Sequence, residues 1–218
     1  EIEVHVLCDD ARYFDKTLKS FFPNTGAITS TEVKPTHIRA KVDYISLSPF
    51  EKTLYLDSDT LPIYDIGEIF DALDFIDLCI CHDFSRKRVN FSEGIPKYGE
   101  LSRALPEVNG GVFAYNKNPK TQKFLDAWRS NFYKYFDITN GWDQPSLRIS
   151  LYESDVRFSI LPDEYNTRPS KTLHKNLNAT EIVGSQYLKS KILHFHVDEN
   201  ALNEFVSGKS LDAIKEEI

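Results

Sequence analysis

Apolar residues in this chain come in short runs, and between the runs their spacing shifts to a helical repeat. Ile2 to Leu7, Leu54 to Leu56, Leu78 to Cys81, Val112 to Tyr115, Val156 to Leu161 and Ile192 to Val197 are bounded by polar or turn-forming residues. Runs of this length read as strands. After Thr36, which is suited to cap a helix, Ile38, Val42 and Ile45 recur at helical spacing until Pro49 closes the segment. Helices are also predicted over Ala11 to Phe21, with Asp10 as N-cap, and after Asp65, with Ile66, Ile69, Phe70 and Leu73 turned inward. A longer one starts at Pro119, with Phe124, Trp128 and Tyr135 on one side. Asp143-Gln144-Pro145 opens another, with proline in the first turn, where a missing N–H costs nothing.

Strands alternating with helices predict an α/β domain whose central sheet is mixed, mostly parallel and flanked by helices. Sheets of this kind bind ligands at the carboxyl ends of their strands. The domain is expected over residues 1–198, with 199–218 a helical tail that docks on it or leads out of it. Residues 82–107 break the pattern. They are polar, basic near Arg86-Lys87-Arg88, and carry Gly94, Pro96 and Gly99, so they read as a lid or an acceptor-facing insertion.

Composition narrows the class. With 41% hydrophobic and 27% charged residues among 218, the chain is an ordinary globular protein. A net charge of -7 argues against a nucleic-acid-binding surface and requires any anionic ligand to be met by local cations or a metal. No apolar stretch approaches the roughly 20 residues of a membrane helix. Cys8, Cys79 and Cys81 form no disulfide framework, and no signal peptide is read ahead of the first strand, so a cytoplasmic location is expected. Cys79-Ile-Cys81 reads as filling for a buried strand, and the sequons at Asn90 and Asn178 as chance.

The chemistry gathers at Leu54-Tyr-Leu-Asp57-Ser-Asp59. A buried strand ending in Asp-x-Asp delivers two carboxylates at a sheet edge, a donor set for Mg²⁺ or Mn²⁺. Ordinary turn chemistry is the plain alternative. His194 and His196 alternate onto one face of the last strand, and an imidazole there can complete the ligand set of Asp57 and Asp59. Lys41 falls beside the Ile38/Ile45 stripe; periodicity alone favours a snorkelling side chain over one that reaches a buried anion. Asn109-Gly110-Gly111 reads as a turn, or as backbone open to a ligand with an amide for sugar hydroxyls. Asp143 is either an N-cap or a hydroxyl-binding carboxylate, with Gln144 then facing the reacting carbon.

In order along the chain, several segments resemble the motifs of the family 8 glycosyltransferases of the GT-A fold, which include glycogenin and bacterial lipopolysaccharide galactosyltransferases. They are Lys41, Phe50-Glu-Lys-Thr-Leu-Tyr-Leu-Asp57-Ser-Asp59-Thr60-Leu61, Asn109-Gly-Gly-Val112, Asp143-Gln144, Leu161-Pro-Asp-Glu-Tyr-Asn166 and His194-Phe195. The resemblance implies a single GT-A domain that moves a hexose, with retention, from a UDP-sugar such as UDP-glucose or UDP-galactose to a hydroxyl of a saccharide or other acceptor. It implies that Asp57, Asp59 and His194 hold Mn²⁺ (or Mg²⁺) on the diphosphate. Lys41, Ser58 and Gly110 would contact the donor, and Asn109 would bind sugar hydroxyls. Asp143 would orient the sugar, with Gln144 near the anomeric carbon. Asp9 and Asp10 would border the nucleotide base. One departure stands out: the family's glycine and Lys-Pro-Trp stretch after His-Phe is replaced here by His196-Val-Asp-Glu-Asn200, so the phosphate clamp is expected from Lys41 or the 82–107 segment.

Two other readings share the acidic pair. Haloacid-dehalogenase-type phosphatases carry Asp-x-Asp near the start of the fold, followed at the second position by Thr or Val. Here Leu61 stands at that position and two predicted helices come first. The other reading is a non-catalytic nucleotide-sugar-binding module.

Overall fold

The computed structural model describes residues 2–9, 28–83, 92, 94–168, 190–195, 210, 212 and 213. The helix expected over 11–21, Asp10, Asn90, Asn178, His196 and nearly all of the tail lie outside them. Two strands, β1 (Val4–Cys8) and β2 (Ile28–Glu32), pair in parallel as a small separate sheet. Next come α1 (Lys41–Tyr44), continued by a 3-10 turn over Ile45–Leu47, and then β3 (Lys52–Leu56), β4 (Thr60–Pro62) and α2 (Glu68–Ala72). The chain goes on through β5 (Leu78–His82), α3 (Pro96–Glu100), β6 (Val108–Asn116) and the long α4 (Pro119–Thr139). It continues with α5 (Gln144–Glu153), β7 (Phe158–Leu161) and β8 (Ile192–His194).

The central sheet has the order β3-β6-β5-β7. It is mixed, as expected, but its parallel share is smaller than the alternation of elements suggests. β6 runs antiparallel to both β3 and β5, and β5–β7 is the parallel pair. The reason is the route of the chain. His82, the last residue of β5, pairs with Val108, the first of β6, so the connection between them begins and ends at one end of the sheet.

Period two divides the core. Leu78, Ile80, Phe113 and Tyr115 face one side, where they meet Val42, Ile45, Phe124, Trp128, Phe132, Leu147 and Leu151. Cys79, Cys81, Val112 and Ala114 face the other, against Ile69, Leu73 and Ile192. The expected faces of α2 and α4 are both found, with Ile69 and Leu73 buried from the first and Phe124, Trp128 and Tyr135 from the second. α4 opens on a capping box, in which Asn118 accepts from the backbone of Lys120 and Thr121 while the Thr121 hydroxyl accepts from Asn118 N. It ends at Asn140 and Gly141, both at positive φ (53° and 72°). Cys79 and Cys81 are buried as expected; burial pushes the Cys79 thiol up to about 11 and Cys81 further still.

Three expectations change. Thr36 does not cap a helix: the chain turns through residues 36–40, helix begins at Lys41, and Ile38 is 92% exposed while Val42 and Ile45 face the core. Asn109-Gly110-Gly111 lies within β6 and is no turn. Residues 94–107 of the expected lid are tied to α5, where Arg148 Nη2 donates to Ser102 O (3.1 Å) and Leu105 O (3.0 Å) and the Tyr152 hydroxyl to Pro106 O (2.9 Å). Among the described residues no helix is long and apolar enough to cross a membrane.

Candidate functional site

The site forms where three strand ends meet. β3 stops at Leu56, and Asp57 N–H donates to Gly111 O on β6 (2.8 Å). The chain then turns over Asp57–Thr60, held by Thr60 N–H and its hydroxyl on Asp57 O (3.1 and 2.7 Å), and re-enters extended structure as β4. β8 runs antiparallel to β4 with Thr60 opposite His194, and Phe195 N–H reaches Asp59 O (2.9 Å). That register carries the imidazole to a doublet 135 or more positions earlier in the sequence. One ligand atom from each of Asp57, Asp59 and His194 lies within 4.8 Å of the others.

Two observations test whether these residues suit a cation. The first is the state of His194. Its Nδ1 lies 2.8 Å from Asn166 Oδ1, an oxygen that can only accept, so Nδ1 carries the proton. Nε2 then faces Asp59 Oδ1 at 3.3 Å, and two acceptors so close require a proton or a metal ion between them. The second is Gly111. A Cβ there would fall against His194 Cε1, 2.8 Å from Asp57 Oδ2 and 3.0 Å from Asn109 Oδ1. The space beside the ligands is kept open by the absence of a side chain. Two carboxylates and one imidazole nitrogen fit a divalent ion such as Mn²⁺.

Lys41 joins this cluster to a second one. Its ammonium donates to both oxygens of Asp57 (3.0 Å each) and to Gly110 O (3.1 Å), and it lies 3.4 Å from Asp143 Oδ2. The side chain therefore reaches a buried anion and does not snorkel. Burial pulls its pKa down, but the charges of Asp143 and Asp57 outweigh burial and leave it raised. The Tyr55 hydroxyl donates to Asp57 Oδ1 (2.8 Å); burial and then the Asp57 charge push its pKa well up, so it stays a donor. Asp143 occupies the N-cap position of α5 without a side-chain capping bond. Its carboxylate is turned instead toward Lys41 and Arg39, whose Nε is 3.7 Å away and whose guanidinium lies 4.7 Å over the Trp142 ring.

Gln144 follows on the first turn of α5, buried, with Nε2 lacking a hydrogen-bond partner among the described residues. Nearby, Glu107 is 2% exposed. It accepts a short bond from the Tyr98 hydroxyl and lies 3.5 Å from Arg148 Nε. Burial raises the Glu107 carboxyl to about 7, against the opposing pull of the Tyr98 hydroxyl, the Arg148 charge and the Gln144 amide; the Asp83 charge adds to the rise.

The fold thus gathers Lys41, Asp57, Asp59, Gly110, Asp143 and His194 into one connected cluster, with Asn109 and Gln144 on the residues that border it. Ser58 is exposed at the tip of the turn. Asp9 is exposed at the end of β1, in the separate sheet, and is not among the residues brought together. Sequence reading missed Tyr55, Arg39, Glu107 and the bond between Asn166 and His194. Tyr55 was findable, because period two puts it on the face of Asp57. Glu107, isolated in an irregular segment, carried no signal.

No protein-family model matches the sequence, and no curated protein sequence matches it either. Solved structures do. Galactosyltransferase LgtC, in complex with donor and acceptor sugar analogs, is similar over 99% of this chain and 95% of its own, with a TM-score of 0.55 at 14% identity. The chain has the GT-A glycosyltransferase fold. The apo form of mouse xyloside xylosyltransferase 1 shares this GT-A architecture over 90% of the chain and 84% of its own length (TM-score 0.55, 14% identity). Glycosyltransferase GlyE of Streptococcus pneumoniae TIGR4 shares it over 99% of the chain, which spans 56% of GlyE (TM-score 0.61, 19% identity). A GT-A fold sets aside the haloacid-dehalogenase reading.

Proposed function

We propose that this protein is a divalent-metal-dependent glycosyltransferase that moves a hexose from a UDP-sugar to a hydroxyl acceptor with retention at the anomeric carbon. The observation that carries the reading is the convergence of Asp57, Asp59 and His194, with Lys41 bridging Asp57 to Asp143. A Mn²⁺ or Mg²⁺ ion held by those three ligands would neutralise the pyrophosphate of the leaving group. In the reaction the bond between the anomeric carbon and the β-phosphate oxygen breaks, and its electron pair leaves with the nucleoside diphosphate. A new bond forms to the acceptor oxygen, whose proton passes to the departing phosphate.

The chain's own groups have distinct tasks. Asn166 fixes the His194 tautomer, and Tyr55 and Lys41 fix Asp57. Lys41 and Arg39 hold the Asp143 carboxylate, which orients sugar hydroxyls, and Asn109 binds others. Gln144 faces the anomeric carbon, where an amide oxygen stabilises the positive charge of an oxocarbenium-like transition state. Residues bordering the site exclude water, which would otherwise hydrolyse the donor.

The reading is tested by incubation with Mn²⁺ and a panel of UDP-hexoses, with and without saccharide acceptors. Release of UDP is expected for one or more of them, and loss of that release on chelation. A nucleotide-sugar that binds but never turns over would mark a non-catalytic module instead. Gln144→Ala is expected to lower turnover more than donor affinity; equal losses would reduce Gln144 to a binding contact.

A further inference from the structure

Arg39 serves the site from a segment with little regular structure. Residues 36–40 form turns, yet the Arg39 guanidinium stands 4.7 Å over the Trp142 ring, with Nε 3.7 Å from Asp143 Oδ1. Both contacts lie at the far end of a long side chain. They are only as well placed as the backbone behind them.

That backbone is held by His37. Arg39 N–H donates to His37 Nδ1 (3.1 Å), a side chain bonding the peptide two residues on, as asparagine does in an Asx turn. A ring nitrogen that accepts carries no proton, so in this neutral imidazole the proton is on Nε2. Nε2 faces Asp43 Oδ2 at 3.4 Å and the Tyr133 hydroxyl oxygen at 3.3 Å, and either can accept from it. Asp43 on α1 is fixed in turn from α4, where Arg129 Nε donates to Oδ1 and the Tyr133 hydroxyl to Oδ2 (2.7 Å each). The imidazole also packs on Phe132 (5.0 Å between centroids) and meets Phe136 edge-on (5.8 Å). A run of matched donors and acceptors thus leads from the body of α4 to one peptide N–H. That N–H belongs to Arg39.

We propose that His37 is a positioning residue: by holding the Arg39 N–H with Nδ1, it keeps the Arg39 guanidinium on Trp142 and beside the Asp143 carboxylate. Its effect on turnover rests on the role given to Asp143 under Proposed function. The placement of Arg39 does not.

Two substitutions separate the bond from the packing. His37→Asn gives up the ring but keeps an acceptor for the N–H two residues on, whereas His37→Phe keeps a ring and offers no acceptor. Placement is read on the full chain, without substrate, by acrylamide quenching of tryptophan fluorescence. Trp128 is fully buried, so the quenchable signal is that of Trp142, and Arg39→Ala sets the level of the uncovered ring. His37→Phe is expected to raise quenching to that level and His37→Asn to leave it as in the unsubstituted protein. In an Arg39→Ala background His37→Phe is expected to add nothing, because the side chain it places is gone. The opposite order, with His37→Phe unchanged and His37→Asn quenched, would make His37 a packing residue and overturn the inference. An effect of His37→Phe that adds to Arg39→Ala would overturn it too. Should His37→Phe not fold, His37→Gln, whose longer amide reaches toward Asp43 and leaves the Nδ1 position empty, is read in the same way. With saturating Mn²⁺ and the UDP-hexose that turns over, His37→Phe is expected to lower kcat about 10- to 100-fold, the scale of a misplaced orienting group, and His37→Asn to restore it. Quenching that follows the expected order without this loss would uphold the placement of Arg39 and count against the role of Asp143.

Discussion

Neighbouring carboxylates in this site have unequal structural duties, and substitution separates them. Asp57 carries bonds from Lys41 and Tyr55, whereas Asp59, with its side chain 27% exposed, adds little packing. Asp59→Ala is expected to abolish Mn²⁺-dependent UDP binding in calorimetry while the melting temperature stays within a degree or two. Asp57→Ala should lose the binding and about 1–3 kcal/mol of stability as well, since it leaves buried donors unpaired. Undiminished metal-dependent binding by the Asp59 variant would refute the ligand assignment. Asn166→Ala removes the acceptor that fixes the His194 tautomer, so Mn²⁺ affinity measured by electron paramagnetic resonance should fall about 10- to 100-fold. At this scale the acidic pair could be singled out in advance, because an Asp-x-Asp doublet at a strand end has a chemical meaning wherever it occurs. Lys41 could not. Its periodicity suggested the apolar surface, and only the fold reveals the two carboxylates it answers.

β6 borders the site and α4 supports it, and residues on both serve two purposes. The Gly111 carbonyl accepts from Asp57 N–H, and the missing side chain leaves the space that Asp57 and His194 face. Gly111→Ala should therefore abolish Mn²⁺-dependent UDP binding despite keeping strand-compatible backbone, because the new methyl group meets His194 and Asp57; a variant that bound normally would show that the ligand cluster can yield. Trp128, on the buried face of α4, packs edge-on against Phe113, and its indole N–H donates to Asp143 O (3.3 Å). Trp128→Ala should cost about 3–5 kcal/mol in chemical denaturation. Long periodic segments such as Pro119–Thr139 were legible in the sequence, since many residues repeat one message. Short ones were not. Thr36–Ala40 has the composition of a helix start, yet the chain there stays in turns, and four residues of α1 give propensity little to sum over. The antiparallel return of β6 was hidden for another reason: strand direction depends on where a connection ends, which local pattern does not encode.

For the molecule as a whole, a ligand that binds only the folded state must stabilise it by mass action. Mn²⁺ with UDP at a hundred times the dissociation constant should add about 2.7 kcal/mol, or about 5–10 °C in melting temperature for a domain of this size. Mn²⁺ alone should shift it much less, and the reason lies in the Lys41 bridge. Asp57, Asp59 and Asp143 share their corner with the two cations Lys41 and Arg39, so among the described residues much of the carboxylate charge is met within the chain. A bare dication gains little from carboxylates already paired with cations, whereas an anionic nucleotide brings fresh negative charge to hold it. Ion and nucleotide should consequently arrive as mutual prerequisites, each tightening the other's grip by the same factor. Wired in this way, the proposed coordination sphere would stay idle until an activated sugar is at hand, whatever the ambient supply of metal.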